Sequence, residues 1–297
     1  MKNLKLKVGV KLNNQYKLSY FSYLPRVIMN LIFRMLGIII KKRFFFKLYN
    51  FNFIYSFTFE DIIGRYLRIF GSWEPFQTTL MKNSINNGDV AIDVGAHHGY
   101  YSILMSQMVG NNGKVYAFEP SRENARILKA HLQMNSIANV QVFKCALGNN
   151  DSESIGFNSN FSRNSGSYSL SKENNKGNEI VKLRKLDNFI EIDFSKVKIL
   201  KIDVEGFENE VLSGAFSALS KLKKGSLIFL EISSPHGKTL NELIPILRNI
   251  NYLFTINLLP TDYSAKVFFK NSFKTFPINF YKTKLYGDTS DIYLEVK

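Results

Sequence analysis

The sequence predicts an α/β fold built around a mostly parallel β-sheet. From residue 88 onward, short apolar runs with strand-like composition alternate with helical patterns. Several of these runs end in an acidic residue that is followed by glycine. The composition is 45% hydrophobic and 21% charged, which indicates a globular chain rather than a disordered one. Alternation of this kind is typical of parallel strands joined by crossover helices.

The elements of the predicted sheet follow one another in a regular order. Parallel strands are predicted at residues 90–94, 114–118, 139–144, 197–204 and 226–232. Helices are predicted at residues 101–108, 122–134, 209–219 and 240–249. Two further pieces, residues 252–258 and 291–296, are expected to form an antiparallel C-terminal edge of the sheet.

One stretch interrupts the alternation between the third and fourth strands. Residues 149–178 are rich in Ser, Asn and Gly and show little apolar periodicity. This composition predicts a loop or weak hairpin inserted into the fold. An insertion at this point could act as a lid over an active site.

The first 59 residues differ from the rest of the chain in charge. They contain no Asp or Glu, whereas eleven of the 39 basic residues lie there, which leaves 28 basic against 24 acidic residues from Glu60 onward. This segment therefore carries most of the formal charge of +15. We divide the chain into a basic, hydrophobic, helical N-terminal arm at residues 1–59 and a catalytic domain at residues 60–297.

The apolar run of the arm, residues 27–40, is too short for an ordinary membrane span and contains Arg34. The arm could lie on an anionic membrane surface, or its helices could pack on the catalytic domain. The single cysteine, Cys145, gives no sign of an oxidising compartment, and no cleavable signal is evident. We therefore predict a cytoplasmic protein, with peripheral contact at the inner membrane face as one role for the arm.

A glycine-containing turn follows the first predicted strand. The strand ends in Asp93, and the chain then passes through Gly95, Ala96 and Gly99 into a helix. Ligands of open α/β sheets bind at the carboxyl ends of the strands, and glycines let the backbone approach them closely. The dinucleotide fingerprint is absent, because its third position is His97. The spacing therefore favours a ligand without a pyrophosphate.

Two more acidic residues are predicted at the same edge of the sheet. The second strand is followed by Glu119 and Pro120, and an acid there can accept hydrogen bonds from ribose hydroxyls. The fourth strand ends at Asp203, and Gly206 then leads into a helix. Asp203 is not followed by the Pro-Pro-Tyr of amino-methyltransferases that act on nucleobases, so no nucleic-acid partner is expected.

These segments resemble the FkbM family of methyltransferases between about residues 71 and 235. The family usually has Asn-Ile where this chain has His97-His98. The resemblance implies a Rossmann-like class I methyltransferase sheet with S-adenosylmethionine as the methyl donor. The matching pieces are residues 73–75, 88–96, 99–101, 118–120, 146–149, 186–187 and 201–206.

The resemblance also implies roles for individual residues. Asp93, Gly95 and Gly99 would shape the methionine end of the cofactor site, Glu119 would hold the ribose, and Ala146 would lie near the adenine. The predicted cofactor-binding residues are Glu74, Asp93, Gly95, Ala96, Gly99, Glu119, Pro120 and Ala146.

Methyl transfer to a hydroxyl is assisted by a base that removes the proton. Asp203 and Glu231 are expected at the carboxyl ends of the fourth and fifth strands, and His236 follows on a loop. We take these three as catalytic candidates. Their spacing is not diagnostic of a metal site, so no metal is predicted.

The resemblance indicates a hydroxyl acceptor on a sugar or a natural product. A basic, apolar arm suits a cell-surface glycan, or its lipid-linked precursor, that is assembled at a membrane. Two alternatives stay open: a soluble O-methyltransferase of small molecules, and a methyltransferase-like binding module without turnover.

Overall fold

The computed structural model describes residues 61–159 and 179–233 continuously, and elsewhere it describes shorter pieces. These pieces are residues 9–11, 25, 28, 32, 44–48, 52–58, 168–170, 254–258, 272–274, 276–277 and 289–296. The predicted helix at residues 240–249 and the catalytic candidate His236 lie outside the described residues.

Strands and helices alternate as predicted from residue 90 to residue 143 and again from residue 197 to residue 233. The helices are α1 (Ile62–Phe70), α2 (Pro75–Ser84), α3 (Tyr100–Val109), α4 (Arg122–Met134), α5 (Glu208–Ser213) and α6 (Phe216–Ser220). The first ten strands are β1 (Gly9–Lys11), β2 (Phe44–Leu48), β3 (Phe53–Phe57), β4 (Val90–Val94), β5 (Lys114–Phe118), β6 (Val140–Phe143), β7 (Ala146–Leu147), β8 (Ser152–Ser159), β9 (Tyr168–Leu170) and β10 (Glu179–Arg184). The remaining strands are β11 (Val197–Ile202), β12 (Leu227–Ser233), β13 (Phe254–Leu258), β14 (Ser272–Lys274), β15 (Phe276–Pro277) and β16 (Thr289–Val296).

Among the described residues, the central sheet has eight strands in the order β15-β13-β16-β12-β11-β4-β5-β6. The five strands from β12 to β6 pair in parallel. Strand β16 pairs antiparallel with both β12 and β13, so β13 runs in the same direction as the parallel strands. At the edge of the sheet, β15 pairs antiparallel with β13. The predicted α/β class with antiparallel pairing at the C-terminal side of the sheet is therefore confirmed.

Helices cover both faces of this sheet, because alternate residues of each parallel strand point to opposite sides. On one face, Ala91 and Ile199 pack with apolar residues of α2, α3 and α4. On the other face, Ile92 and Leu200 pack with residues of α5 and α6. Both faces are buried, which explains why the strands read as nearly continuous apolar runs.

One predicted helix differs from the structure. Residues 209–219 form two short helices, α5 and α6, separated at Gly214. A Cβ atom at Gly214 would lie 1.8 Å from the carbonyl oxygen of Gly148, so the backbone of the β7 connection passes directly against this point. The helical pattern did not reveal this tertiary contact.

The inserted segment contains more structure than a loop. Strands β8, β9 and β10 join β7 in a separate four-stranded sheet. Val181 and Leu183 of β10 pack with Ala146 and Phe207, so the root of the insertion contacts the loop that follows β11. The hairpin half of the prediction is therefore supported where the chain is described.

The described part of the arm contains strands as well as helical residues. Residues 25, 28 and 32 are helical, while β2 and β3 form an antiparallel pair that the sequence did not predict. Phe53 and Tyr55 of β3 are each 1% exposed and belong to the main apolar core. Strand β3 thus packs as part of the catalytic domain, although it precedes residue 60. Among the described helices, none is long and apolar enough to cross a bilayer.

Candidate functional site

The three acidic residues predicted at the strand ends lie at one rim of the sheet. Asp93 on β4 is paired in register with Lys201 on β11, and Val94 is paired with Phe118 of β5. Glu119 and Asp203 directly follow these two neighbouring strands. Burial raises the pKa of Glu119, and the nearby Asp93 contributes a smaller increase. Burial also raises the pKa of Asp93, and the nearby Asp203 contributes a smaller increase. The three carboxylates are therefore close to one another.

The turn between β4 and α3, residues 95–99, is called the glycine loop below. The backbone amides of Gly95 and Ala96 both donate to the carbonyl oxygen of Phe118 at 3.0 Å. The amide of His97 donates to Glu119 Oε2 at 2.7 Å, and the amide of Gly99 donates to the carbonyl of Ala96. The loop is therefore fastened to the end of β5 before it enters α3.

Both glycines of this loop are required by protein packing. Gly95 has φ +83°, and a Cβ there would lie 1.8 Å from the carbonyl oxygen of Asp203. Gly99 has φ +88°, and its Cβ would lie 2.1 Å from Leu128 of α4. Only glycine tolerates such a backbone without strain and also leaves this space. The sequence argument attributed both glycines to the approach of a ligand, whereas protein atoms already fill the space beside them.

The two adjacent histidines of the loop do not diverge, contrary to the expectation for neighbouring side chains. Their rings stack at 3.8 Å with an interplanar angle of 26°. His97 has φ +50°, a left-handed conformation in which Asn and His are enriched among non-glycine residues. Its proximity lowers the pKa of Asp203, so His97 belongs to the rim. Among the described residues, no group of His, Cys, Asp and Glu could hold a metal ion.

Glu119 is 3% exposed and holds the loop. Besides the amide of His97, its carboxylate accepts hydrogen bonds from the amide of Ser121 at 2.9 Å and from Asn124 Nδ2 at 3.3 Å. A carboxylate has about four acceptor positions, so one remains for a further donor. Burial raises the pKa of Glu119 to about 7, although the three donors oppose this change.

Asp93 and Glu74 are two further buried carboxyl groups. Asp93 accepts a hydrogen bond from Ser102 Oγ at 2.6 Å, and burial raises its pKa. Glu74 directly precedes α2 with φ +41°. Its Oε2 accepts hydrogen bonds from the Tyr101 hydroxyl at 2.5 Å and from Gln77 Nε2 at 2.6 Å. Glu74 is therefore fixed in orientation beside the rim.

A buried lysine, which the sequence analysis did not select, lies between these carboxylates. Lys201 is 4% exposed, its Nζ donates to Asp203 Oδ2 at 2.6 Å, and it lies 4.8 Å above the ring of Tyr101. Burial alone would lower the pKa of Lys201, but Asp203, Glu74 and Asp93 raise it above its ordinary value. Lys201 therefore stays protonated and is unsuited to act as a base. Its signal in the sequence was a charged residue directly between two apolar residues at the end of the strand.

The predicted catalytic pair Asp203 and Glu231 is brought together. Burial alone would raise the pKa of Asp203, but Lys201, a hydrogen bond with Glu231 and the nearby His97 together lower it. The two carboxyl groups therefore lie within hydrogen-bond reach of each other at this rim.

Asp203 and Glu231 lie beside a narrow cavity at the rim of the sheet. The cavity is narrower than ordinary ligand pockets, so its lining would have to move apart to admit a ligand. The residues that line it are Glu74, Gln77, Lys201, Ile202, Asp203, Phe229 and Glu231.

The loop after β11 carries two more acids with raised pKa values. Glu208 accepts hydrogen bonds from the amides of Val204 and Gly206, and burial raises its pKa to about 7. Partial burial of the carboxyl, together with Asp203 and Glu208, raises the pKa of Glu205 to about 8. Because the residue as a whole is exposed, water moderates this shift. Glu208 is a structural acceptor for the loop, and Glu205 lies at its outer side.

The remaining predicted cofactor residues are Pro120, Ala146 and Ala96. Pro120 follows Glu119 and is partly exposed, and Ala146 begins β7 and is 5% exposed. Ala96 lies within the glycine loop and is also buried. All eight predicted cofactor-binding positions are therefore described. Six of them belong to the strand ends or loops around β4, β5 and β7; Gly99 caps α3 and Glu74 precedes α2.

Comparison with known proteins agrees with this architecture. The profile described as "Methyltransferase FkbM domain" matches residues 93–254, more than half of the chain. "Methyltransferase 1" of Beauveria bassiana (strain ARSEF 2860) is 25% identical over 142 residues, which cover 41% of this chain. The match spans 57% of that curated relative.

Two solved structures are also similar to the chain. One is the methyltransferase FkbM from Methylobacillus flagellatus KT, with 15% identity and a TM-score of 0.42 over 91% of this chain and 60% of that one. The other is an S-adenosylmethionine-dependent O-methyltransferase from Thermotoga maritima, with 15% identity and a TM-score of 0.42 over 74% of this chain and 64% of that one. The profile match confirms the family that the motifs indicated.

The buried Glu119 predicts a pH-dependent stability. Its pKa is about 7 in the folded chain and near 4.5 when exposed, so the folded state binds the proton more tightly. The resulting stabilisation is fully present below about pH 4.5 and is lost as the pH rises through 7, by roughly 3 kcal/mol in total. Glu119→Gln should therefore flatten part of the decrease in the free energy of unfolding between pH 5 and pH 8.

Chemical denaturation at both pH values measures this effect. Glu191→Gln is the matched control, because Glu191 is exposed. If Glu119→Gln and Glu191→Gln keep the same pH dependence as the unmodified chain, Glu119 is not the buried acid described above.

Proposed function

The chain belongs to the FkbM family of methyltransferases, and from that premise we propose that it methylates a hydroxyl group of a sugar. The acceptor is a cell-surface glycan or its lipid-linked precursor, and the methyl donor is S-adenosylmethionine. The observation that carries the proposal is the ionised Asp203, which Lys201 holds beside Glu231 at the cavity of the rim.

The residues at the rim suit the donor. S-adenosylmethionine carries positive charge on its sulfonium and ammonium groups, and Asp93, Asp203 and Glu74 supply negative charge at this edge of the sheet. Glu119 retains acceptor capacity for a ribose hydroxyl while it holds the glycine loop. Asp93 and the glycine loop would hold the methionine end, and Pro120 and Ala146 would lie toward the adenine.

When bound, the donor supplies an electrophilic methyl group on a positively charged sulfur, which becomes a neutral thioether. A hydroxyl that takes up this methyl group would release its proton, and the Asp203 carboxylate would accept that proton. Lys201 keeps that carboxylate ionised until the transfer, and Glu231 orients it through their shared hydrogen bond. Proton acceptance by a positioned group contributes about 10²–10⁴-fold to the rate.

A sugar acceptor is supported by the lining of the cavity. Glu74, Gln77 and Glu231 provide hydrogen-bonding groups, while Phe229 provides an apolar surface. A ring with hydroxyl groups on its edge and C–H groups on its face matches this combination. His236 follows β12 in sequence and stays a candidate for assisting the proton transfer.

The activity is tested with radiolabelled S-adenosylmethionine and glycan fractions from the source cell. The unmodified chain should transfer label to saccharide, and Asp203→Asn should reduce the rate at least about 100-fold, because it removes the proton acceptor. Asp193→Asn is the matched control, since Asp193 is exposed and pairs with Lys196. Label in protein or lipid-free small molecules, with none in saccharide, would contradict the glycan acceptor. Equal rates for Asp203→Asn and the control would contradict the role of Asp203.

We further propose that the arm contacts an anionic membrane surface. Ile28 and Ile32 are helical, lie one turn apart and are 50% and 45% exposed, while Phe45 of β2 is 65% exposed. Exposed apolar side chains among eleven basic residues suit a surface with anionic headgroups. This contact would place the enzyme at the inner membrane face beside a lipid-linked acceptor.

Removal of residues 1–48 should abolish cosedimentation with vesicles that contain anionic lipid. The boundary matters, because β3 is part of the core and has to be retained. Ile28→Glu combined with Ile32→Glu should weaken binding strongly, whereas Ile190→Ser, which changes a 96% exposed residue of the catalytic domain, should not. Unchanged cosedimentation of the truncated chain would contradict the membrane proposal and would leave the enzymatic proposal intact.

A further inference from the structure

One histidine connects the N-terminal strand β3 to the helix behind the glycine loop. His131 of α4 is fully buried. Its Nε2 lies 2.9 Å from the backbone amide of Ser56 and 2.6 Å from the Ser56 hydroxyl. A backbone amide can only donate, so Nε2 is the acceptor and the ring is neutral with its proton on Nδ1.

The other nitrogen of this ring reaches the glycine loop. His131 Nδ1 lies 2.7 Å from the carbonyl oxygen of His98, and with the proton placed on Nδ1 it donates to that oxygen. The loop therefore has two kinds of attachment. The carbonyl of Phe118 and the carboxylate of Glu119 hold its first half, while His131 holds its second half. A hydrogen bond to the backbone at this point fixes the peptide that immediately precedes Gly99.

Strand β3 makes further contacts that hold His131 in place. Asn135, one turn after His131, accepts from the amide of Ile54 at 2.6 Å and donates to its carbonyl at 2.7 Å. The ring of Tyr55 lies 4.5 Å from the ring of His131. An amide that pairs with both backbone groups of one residue sets the position of the strand along the helix. The ring of His131 is therefore held between β3 and the loop with little freedom.

The chain that follows β3 also contacts the loop. Asp61 caps α1 by accepting from the amide of Gly64, and its Oδ2 lies 3.9 Å from Nδ1 of His98. Tyr55 also meets Tyr100, the first residue of α3, edge to face at 6.4 Å. Residues before the region matched by the family profile thus contact the glycine loop at His98 and the start of the following helix at Tyr100.

From these contacts we propose that His131 is a positioning residue for the S-adenosylmethionine site, and that β3 acts through it. His131 is absent from the residues that line the rim cavity, so it acts through the geometry of the glycine loop rather than by touching the acceptor end of the site. The inference rests on the proposed function, because it assigns the support of the same cofactor site. It makes residues 53–57 part of the cofactor-binding apparatus rather than of a separable arm.

Two substitutions separate the contacts of the two ring nitrogens of His131. In His131→Asn the side-chain amide lies about where Nδ1 was, so it can still donate to His98 but does not reach Ser56. In His131→Gln the amide lies about where Nε2 was, so it can still accept from Ser56 but leaves the His98 carbonyl without its donor. His131→Asn loses both contacts with Ser56 and His131→Gln loses only the one with His98, so His131→Asn should lose at least as much stability.

Calorimetric titration with S-adenosylhomocysteine and thermal unfolding of the full chain distinguish the roles. We expect His131→Asn to bind within about threefold of the unmodified chain and His131→Gln to bind at least about tenfold more weakly, although Tm should decrease at least as much in His131→Asn as in His131→Gln. The positioning role is overturned if affinity decreases in proportion to Tm in both variants, or if affinity changes in neither variant. Failure of the unmodified chain to bind would instead overturn the proposed function.

A milder variant covers the case in which both substitutions prevent folding. Ser56→Ala removes only the hydroxyl that contacts Nε2, and Ser220→Ala is a matched control on the exposed end of α6. Hydrogen exchange should become faster at the amides of residues 97–99 in Ser56→Ala and stay unchanged in the control. Unchanged exchange at these amides in Ser56→Ala contradicts the coupling between β3 and the loop.

Discussion

The arrangement of the site depends on the ion pair between Lys201 and Asp203. The ammonium is 4% exposed and faces three carboxyl groups that are themselves buried or half-buried. Without a positive charge at this point, burial would favour the protonated forms of Asp93 and Asp203. With it, Asp203 stays ionised at the mouth of the cavity. Replacing one partner of such a pair leaves an uncompensated charge, which is strongly unfavourable.

The backbone around this pair is packed closely enough to fix the strand ends. The amide of Asp203 donates to the carbonyl of Val94, and the carbonyl of Asp203 lies against Gly95. The glycine loop and the β11 loop therefore touch each other directly, and the carboxylates of the two loops have little freedom to separate. Packing of this kind holds in place acidic groups that would otherwise repel one another. Methyl transfer depends on such a preorganised site.

Much of this arrangement could be predicted from local sequence patterns. The strand-like runs, the acids at their ends and the glycine turn gave the sheet and the common rim of Asp93, Glu119 and Asp203. These features are local, because a parallel strand that is buried on both faces appears in the sequence as a continuous apolar run. The end of such a strand appears as a polar residue directly after the run. Lys201 lies in one of the segments that resemble the family, residues 201–206. Its role nevertheless depends on Glu74, which is 127 positions earlier in the chain.

Other features depend on contacts between distant segments and left no pattern to find. Strand β3 resembles the apolar arm in composition, and only its packing shows that it belongs to the core. His131 has an ordinary place on an amphipathic helix, and its partners Ser56 and His98 lie 75 and 33 residues away. The division of residues 209–219 into two helices follows from the backbone of Gly148, which no periodicity records.

Calorimetric titration of S-adenosylmethionine into the full chain and into Lys201→Met, at pH 7 and pH 9, tests the central role of the ion pair most directly. The unmodified chain should bind at one site at both pH values. Lys201→Met should bind weakly at pH 7 and recover part of its affinity at pH 9, because without the lysine the rim carboxylates ionise only at higher pH. Equal binding by Lys201→Met at pH 7 would contradict this account.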